Sequence, residues 1–110
     1  MARSYVCQLL RGVVEPLLLF IIGELPIYGY EIARELEGRS EGYFNLTAST
    51  LYSALRRLES RGLVASSWQQ ISKQRRRYYE LTEKGRQILA EELAQWQKFF
   101  GATERIIDSQ

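Results

Sequence analysis

The chain has 110 residues, of which 45% are hydrophobic and 25% charged, and these values are typical of one globular domain with a modest core. It contains no histidine and a single cysteine, Cys7. These counts exclude an intrachain disulfide and a Cys/His zinc site within one chain, and they remove the commonest general base. They also fit a reducing cytoplasm, which we take as the expected location.

The charge is unevenly distributed, although the net charge is only +2. The segment from Arg39 to Tyr79 holds eight basic residues and two acidic ones, so the remainder of the chain is acidic overall. A basic segment on a nearly neutral chain favours a polyanionic partner at one surface. The alternative is an ordinary charged face that is solvated.

The most apolar run, Pro16 to Ile22, is far shorter than the roughly 20 residues that span a bilayer. The residues after it form a poor cleavage site for a secretory signal, so we predict a buried helix. We expect that helix to run from about Tyr5 or Gly12 to Leu25 and to end at Pro26. Pro16 fits a main helix that begins near Val13, and otherwise predicts a kink. The expected apolar face consists of Leu17, Leu18, Phe20, Ile21 and Leu25.

Two shorter helices are predicted next, at about Gly29 to Arg39 and about Ala48 to Arg61. Ile32 and Leu36 repeat at helical spacing in the first of them. In the second, Thr47 is a plausible N-cap and Gly62 a plausible terminator. Its inner face is expected to consist of Leu51, Ala54, Leu55 and Leu58.

A β-hairpin is predicted from Leu63 to Ile71 and from Arg75 to Leu81, joined by Ser72-Lys73-Gln74. Alternation along the second strand should send Arg75 and Arg77 to one face and Arg76 to the other. Trp68 and one of Tyr78 and Tyr79 are expected to be core residues or cross-strand partners rather than platforms for base stacking.

The last helix is predicted to follow the N-cap Thr82, with Glu83 in its first turn, and to run to about Ile107. Its apolar residues have a heptad-like spacing and form a stripe along the helix. This stripe is longer than one small domain can cover. The residues of this stripe are Leu89, Leu93, Trp96, Phe100, Thr103 and Ile107, widened by Ile88, Phe99 and Ile106.

The third helix and the hairpin together are typical of a winged helix, in which the helix enters a DNA groove and the basic hairpin, or wing, contacts the backbone. Short hydroxyls allow close approach, and arginine pairs with guanine or phosphate. The predicted DNA-binding residues of the helix are Thr47, Ser49, Thr50, Tyr52, Ser53, Arg56 and Arg57. Those of the wing are Lys73, Gln74, Arg75, Arg76 and Arg77. The alternatives are an amphipathic helix with a solvated face and a charged turn that protects a strand edge.

The apolar stripe of the last helix predicts self-association, and the alternative is that this helix folds back onto its own domain. The predicted dimer-interface residues are Leu9, Leu89, Leu93, Trp96, Phe99, Phe100 and Ile107. Trp96 is also a candidate residue for a pocket that binds flat hydrophobic ligands, although a Trp in such a seam is more often an interface anchor.

The predicted fold is therefore mainly α with a small β-hairpin (α+β). Residues 1–82 would form a winged helix-turn-helix domain whose N-terminal helix also contributes to the dimer. Residues 83–110 would form a C-terminal dimerisation helix in the same compact unit. The predicted partners are double-stranded DNA, a second copy of the chain and, as a candidate, a planar aromatic effector. No cofactor, metal or membrane partner is expected.

At this point the sequence resembles the PadR family of transcriptional regulators over nearly its whole length, and in particular the compact subfamily with one long helix after the wing. The motifs that carry the resemblance are Glu15-Pro16-x-Leu18-Leu19, Tyr28-Gly29-Tyr30-Glu31-Ile32, Thr50-Leu51-Tyr52-Ser53-Ala54-Leu55-Arg56-Arg57-Leu58-Glu59, Gly62-Leu63-Val64 and Arg76-Arg77-Tyr78-Tyr79-x-Leu81-Thr82-x-Lys84-Gly85-Arg86.

The resemblance implies a dimeric winged-helix protein, usually a repressor, whose dimer is built by the terminal helix with help from the N-terminal one. Some relatives respond to phenolic acids or bind planar drugs between subunits. One departure is Tyr28, which stands where many relatives carry His.

Two other functions compete with a DNA-binding repressor. One is a protein-interaction adaptor on a winged-helix scaffold, against which the basic helix and wing argue. The other is a small-molecule sensor in which ligand binding is the main event. An enzyme is the least favoured class because histidine, a paired-carboxylate signature and a Gly-rich phosphate loop are all absent, and Cys7 lacks an activating base.

Overall fold

The structure is a computed structural model that describes the backbone of residues 2–24 and 26–109 and the side chains of residues 12–24 and 26–109. Its elements in chain order are α1 (Ala2–Glu24), β1 (Ile27–Tyr28), α2 (Gly29–Arg39), α3 (Ala48–Ser60), β2 (Val64–Ile71), β3 (Gln74–Leu81) and α4 (Glu83–Asp108). The strands form one antiparallel sheet in the order β1-β3-β2. The predicted α+β class is confirmed.

Helix α1 begins at Ala2 and continues through Pro16, so the predicted start near Tyr5 is the better of the two, and a main helix that begins at Gly12 or Val13 is wrong. Pro16 has no N–H to donate to the preceding turn, and its position inside the helix therefore costs one helical hydrogen bond. The helix ends at Glu24, before Pro26. The predicted face was only partly right, because Phe20 is 38% exposed whereas Leu18, Leu19 and Ile22 are buried. Leu25 lies outside the described residues.

The core lies where α1, α2, α3 and the base of the sheet meet. Ile32 and Leu36 are buried on α2, as their spacing predicted. All four residues predicted for the inner face of α3 are buried as well. The fully buried large side chains are Leu18, Leu19, Ile22, Ile32, Leu55, Leu58 and Leu63.

Both ends of α3 are set by local interactions that the sequence predicted. The Thr47 hydroxyl accepts a hydrogen bond from the Thr50 N–H at 3.1 Å, which satisfies a free donor of the first turn. At the other end Gly62 has φ +77°. The N–H of Leu63 donates to the Leu58 carbonyl at 2.9 Å, and the N–H of Gly62 donates to that of Glu59 at 2.9 Å. These two bonds form a Schellman end, for which glycine is the favoured residue.

The hairpin has a tighter turn than predicted, because Gln74 pairs with Ile71 as part of β3 and only Ser72 and Lys73 lie between the strands. Ser72 has φ +59°, as a two-residue hairpin turn requires of one of its residues. The sequence analysis missed β1, whose two residues pair with Tyr78 and Tyr79 of β3. Two residues between Pro26 and Gly29 are too few to show a period.

Helix α4 begins at Glu83, and its N-cap Thr82 accepts a hydrogen bond from the Gly85 N–H at 3.0 Å, as predicted. Ile88 and Leu89 pack against the core, whereas Phe99, Phe100, Ile106 and Ile107 are exposed. The C-terminal half of α4 therefore does not fold back onto its own domain. Within the residues described, no helix has the length and hydropathy that a membrane span requires.

Candidate nucleic-acid interface

The outer face of α3 carries the polar residues that were predicted to contact DNA. Ser49, Thr50 and Arg56 are exposed and Ser53 is half-buried. The Thr47 hydroxyl is occupied by the N-cap and also donates to the Thr50 Oγ1 at 2.9 Å. Thr47 therefore has a structural role here in addition to the contact that was predicted for it.

The hairpin, which consists of β2, β3 and their turn, is called the wing. A cleft of about 710 Å³ separates it from α3. One wall is formed by Tyr52, Arg56 and Glu59 of α3. The opposite wall consists of Trp68, Arg75, Arg76, Arg77 and Tyr79, and the floor of Tyr28, Gly29 and Tyr30. The structure thus brings Arg56 of the predicted helix group and three arginines of the wing group to the same opening, whereas Arg57 and Lys73 do not line it.

The wing arginines alternate between the two faces of the sheet, as predicted. The guanidinium groups of Arg75 and Arg77 lie 4.9 and 5.2 Å from the centre of the Trp68 ring. Arg76 lies on the other side, 5.9 Å from the Tyr28 ring. These cation–π contacts restrict the rotamers of the three arginines.

Trp68 is a cross-strand partner of Arg77, which confirms one of the two roles predicted for it. A core position is wrong for it, since 53% of its surface is exposed. Tyr79 is the core aromatic of the hairpin. The reason is the twofold period of the strand, because Val64, Tyr79 and Leu81 cover the core at the base and leave Trp68 on the same face beyond it.

A hydrogen-bonded network connects α3 to the wing through residues that sequence reasoning missed. The Ser66 hydroxyl donates to Glu59 Oε2 at 2.8 Å, and Arg77 Nε donates to Ser66 Oγ at 3.0 Å. Arg77 Nη2 also lies 3.7 Å from Glu59 Oε1. Arg77 is therefore partly engaged within the protein, and Glu59 fixes the wing relative to α3. The one acidic residue in the third helix, opposite three wing arginines, was the available signal.

A second internal ion pair involves Arg57, which was predicted to contact DNA. Its Nε lies 2.9 Å from Glu15 Oε2, and Arg61 Nη1 lies 3.4 Å from Glu15 Oε1. Sequence reasoning missed Glu15 and Arg61. A charged residue beside the most apolar run of a buried helix implied a partner, but the sequence did not identify it.

Tyr52 packs against the beginning of α2, where its ring and that of Tyr79 both lie close to Gly29. Gly29 has no side chain, and a Cβ there would crowd both rings. Burial raises the pKa of the Tyr79 phenol, and the nearby charge of Arg77 partly opposes that effect. Tyr79 is thus a neutral core residue at physiological pH, whereas Tyr52 lines the open cleft.

The tip of the wing is exposed at Lys73, Gln74 and Arg75. Gln74 Oε1 accepts a hydrogen bond from Arg76 Nη2 at 3.2 Å. Of these tip residues, Arg75 lines the same cleft as Arg56.

Six of the seven residues predicted for the dimer interface lie on α4, in different environments. Leu89 packs on the core, and Leu93 and Trp96 are half-buried. Phe99, Phe100 and Ile107 are exposed. Leu9 lies on α1, outside the residues whose side chains are described.

The interface is suited to binding an extended polyanion. Guanidinium groups, hydroxyls and a protruding hairpin donate hydrogen bonds to phosphate and base edges without a chemical step. Among the described residues, no three metal-ligating side chains form a group. A helix with an exposed polar face, flanked by a basic wing, defines a winged-helix DNA-binding protein.

Comparison with known proteins gives the family. Residues 18–91 match the model of the "Transcriptional regulator PadR-like family". An uncharacterized protein of Lysinibacillus sphaericus is 32% identical over 97 residues, covering 87% of this chain and 86% of that protein. The chain belongs to the PadR-like family of transcriptional regulators.

Solved structures agree with this assignment. A PadR family transcriptional regulator from Eggerthella lenta is 34% identical, with a TM-score of 0.80 over 99% of this chain and 94% of that one. A PadR-like transcriptional regulator from Bacillus cereus is 26% identical, with a TM-score of 0.83 over 94% and 99% of the two chains. These similarities confirm the resemblance inferred from the motifs.

Proposed function

We propose that this protein is a homodimeric, sequence-specific repressor that binds an inverted-repeat operator. The observation that carries the proposal is the shared opening of α3 and the wing, at which Arg56 and Arg75 are presented together. Family membership supports a regulator of transcription. Occlusion of the polymerase is the simplest mechanism of repression.

In this proposal α3 enters the major groove, and its short hydroxyls allow the backbone to approach closely. Ser49, Thr50 and Ser53 contact base edges, and Arg56 reads guanine. The exposed wing residues Lys73 and Arg75 contact phosphates, which carry charge but no sequence information. Tyr52 donates its hydroxyl to a phosphate at the edge of the cleft.

Self-association of α4 is supported by the apolar surface that the monomer leaves exposed. Phe99, Phe100, Ile106 and Ile107 are each at least half exposed. A surface of this kind on a regulator favours an interface between copies. Since a two-fold dimer presents two identical helices, the operator is expected to be an inverted repeat with half-sites about 10 bp, or a multiple of this, apart.

The division into a DNA-binding unit (residues 1–82) and a dimerisation helix (residues 83–110) follows from the same proposal. The proposal retains the cytoplasmic location and the non-enzymatic class that the sequence predicted.

A small aromatic effector is a second element of the proposal, supported by the aromatic cluster on α4. The ring of Phe100 lies edge-on to both Trp96 and Phe99, with centroids 5.9 and 5.7 Å apart. In a dimer the two clusters would offer flat apolar surfaces to a planar ligand. Quenching of Trp96 fluorescence by planar aromatics, measured in a Trp68→Phe variant that removes the other indole, tests this element.

The decisive experiment is fluorescence anisotropy with the duplex upstream of the protein's own gene and a scrambled duplex of equal length, at roughly physiological salt. A preference of about a thousandfold or more supports a sequence-reading regulator. Equal, weak binding to both duplexes places the operator elsewhere. No binding to either duplex contradicts the proposal and favours a protein-interaction adaptor.

A further inference from the structure

A second basic surface runs along α3 and shares Arg56 with the cleft beside the wing. It is a shallow depression of about 520 Å³ formed by α3 and its C-cap residue Arg61. Its lining residues are Ser53, Arg56, Arg57, Ser60 and Arg61. They lie on one helical face because they are spaced by three and four residues. The lining includes three arginines and two hydroxyls but no carboxylate.

Two of these arginines are held from behind by a single carboxylate of α1. Glu15 uses one oxygen for Arg57 Nε and the other for Arg61 Nη1. Only 16% of the Glu15 side chain is exposed, whereas the values for Arg57 and Arg61 are 50% and 57%. The carboxylate therefore lies on the protein side of the two guanidinium groups.

This geometry leaves most N–H groups of both arginines available. A guanidinium group has five N–H donors in a rigid plane, and each arginine gives only one of them to Glu15 in these contacts. Fixing one edge of the fork orients the remaining donors and removes part of the rotamer entropy that binding would otherwise cost.

We propose that Arg57 and Arg61 form a phosphate clamp for the DNA backbone, and that Glu15 is the positioning residue of this clamp. The inference rests on the proposed DNA-binding function, and it assigns a second backbone contact on the side of α3 opposite the wing. The ligand is a phosphodiester, which the two forks bind through charge-assisted hydrogen bonds. Because Glu15 belongs to α1, the clamp also connects that helix directly to the DNA.

The test measures operator and scrambled-duplex affinity of the full-length protein at several salt concentrations. Arg57→Ala and Arg61→Ala should each weaken both duplexes alike. Each should also lower the magnitude of the salt slope by about two in a dimer, since each subunit loses one phosphate contact. An unchanged slope in both variants overturns the clamp.

Glu15→Ala separates positioning from simple electrostatics by the sign of its effect. Removal of a negative charge near DNA should tighten binding if Glu15 is only a bystander. If Glu15 orients the clamp, its loss should weaken both duplexes by about fivefold. In an Arg57→Ala/Arg61→Ala background the weakening should disappear. The positioning role of Glu15 is overturned if Glu15→Ala alone binds DNA as tightly as the parent or more tightly. It is also overturned if Glu15→Ala weakens binding equally in the parent and in the double-arginine variant.

Glu24→Ala is the matched control, because Glu24 is also an α1 carboxylate paired with an exposed arginine, Arg39, away from α3. It should leave the affinity within about twofold of the parent.

If Glu15→Ala does not fold by circular dichroism, Glu15→Gln, which keeps one acceptor oxygen, should show a smaller loss of the same sign. Failure of the parent protein to bind any duplex contradicts the proposed function itself, whereas parent binding with tighter Glu15→Ala binding contradicts only the positioning role.

Discussion

Gly85, in the first turn of α4, lies directly against the backbone carbonyl of Leu63, so that a Cβ at residue 85 would overlap the Leu63 oxygen. The same carbonyl accepts a hydrogen bond from the Thr82 N–H at 3.1 Å, and the Thr82 hydroxyl donates to the Gly62 carbonyl at 2.6 Å. The end of α3 and the beginning of α4 are therefore joined by backbone contacts that leave no room for a side chain.

Gly85→Ala should accordingly lower the free energy of unfolding by about 3 kcal/mol, because backbone rather than a flexible side chain must move. Urea unfolding at fixed protein concentration measures this loss. Gly38→Ala is the control, since open space surrounds that α2 position and alanine should raise stability by roughly 0.5 kcal/mol. Equal stability of the two variants would contradict the close contact.

Arg56 and Arg75 should differ in what they contribute to DNA binding. Arg56→Ala should weaken operator binding more than scrambled-duplex binding, by about 1–3 kcal/mol of discrimination, because a base contact carries sequence information. Arg75→Ala should weaken both duplexes alike and flatten the salt dependence. Anisotropy titrations against salt separate the two effects. An unchanged operator preference in Arg56→Ala would remove Arg56 from base recognition.

Trp68 should support DNA binding through the two arginines that stack on it. Trp68→Ala frees Arg75 and Arg77 to sample other rotamers, and affinity for any duplex should fall by about threefold to tenfold. Trp68→Phe retains an aromatic face and should recover most of this loss. Comparison of the two variants at equal folded fraction provides the check, and full affinity in Trp68→Ala would show that the stacking has no role in binding.

The apolar seam of α4 should control the oligomeric state. The double variant Trp96→Ala/Phe100→Ala should be monomeric in light scattering and should bind DNA poorly, because a single recognition helix makes only half of the contacts. Gln95→Ala changes an exposed polar residue of the same helix and should remain dimeric. A double variant that stays dimeric would refute the proposed seam.

Stability should fall at alkaline pH through Tyr79. Because burial raises the pKa of this phenol in the folded protein, the unfolded chain loses the proton first as the pH rises above about 10. The contribution of Tyr79 to the free energy of unfolding is therefore intact below about pH 10. It is lost as the pH rises through the pKa of this phenol in the folded protein. The difference between the free energies of unfolding at about pH 9 and pH 11 should be smaller for Tyr79→Phe than for the parent. Tyr43→Phe, at an exposed position, should behave like the parent.

The sequence by itself determined the kind and the approximate limits of nearly every element. The Thr47 and Thr82 caps, the Gly62 terminator and the apolar spacing of α3 act within a few residues, and such local signals can be read directly. The helical spacing of α3 and the alternation along the second strand together identified Arg56 and the wing arginines as a basic group. It did not reveal β1, whose two residues are ordered by pairing with β3.

Only the tertiary structure decided which charged residues are held by other parts of the protein. Glu15 and Arg57 are 42 positions apart, so no local pattern connects them. Glu59, Ser66 and Arg77 meet because the hairpin folds back beside α3, and Trp68 stays exposed because the core ends below it. The physical reason is the same in each case, because these contacts depend on the relative position of whole elements, which is set by packing and not by neighbouring residues in the chain.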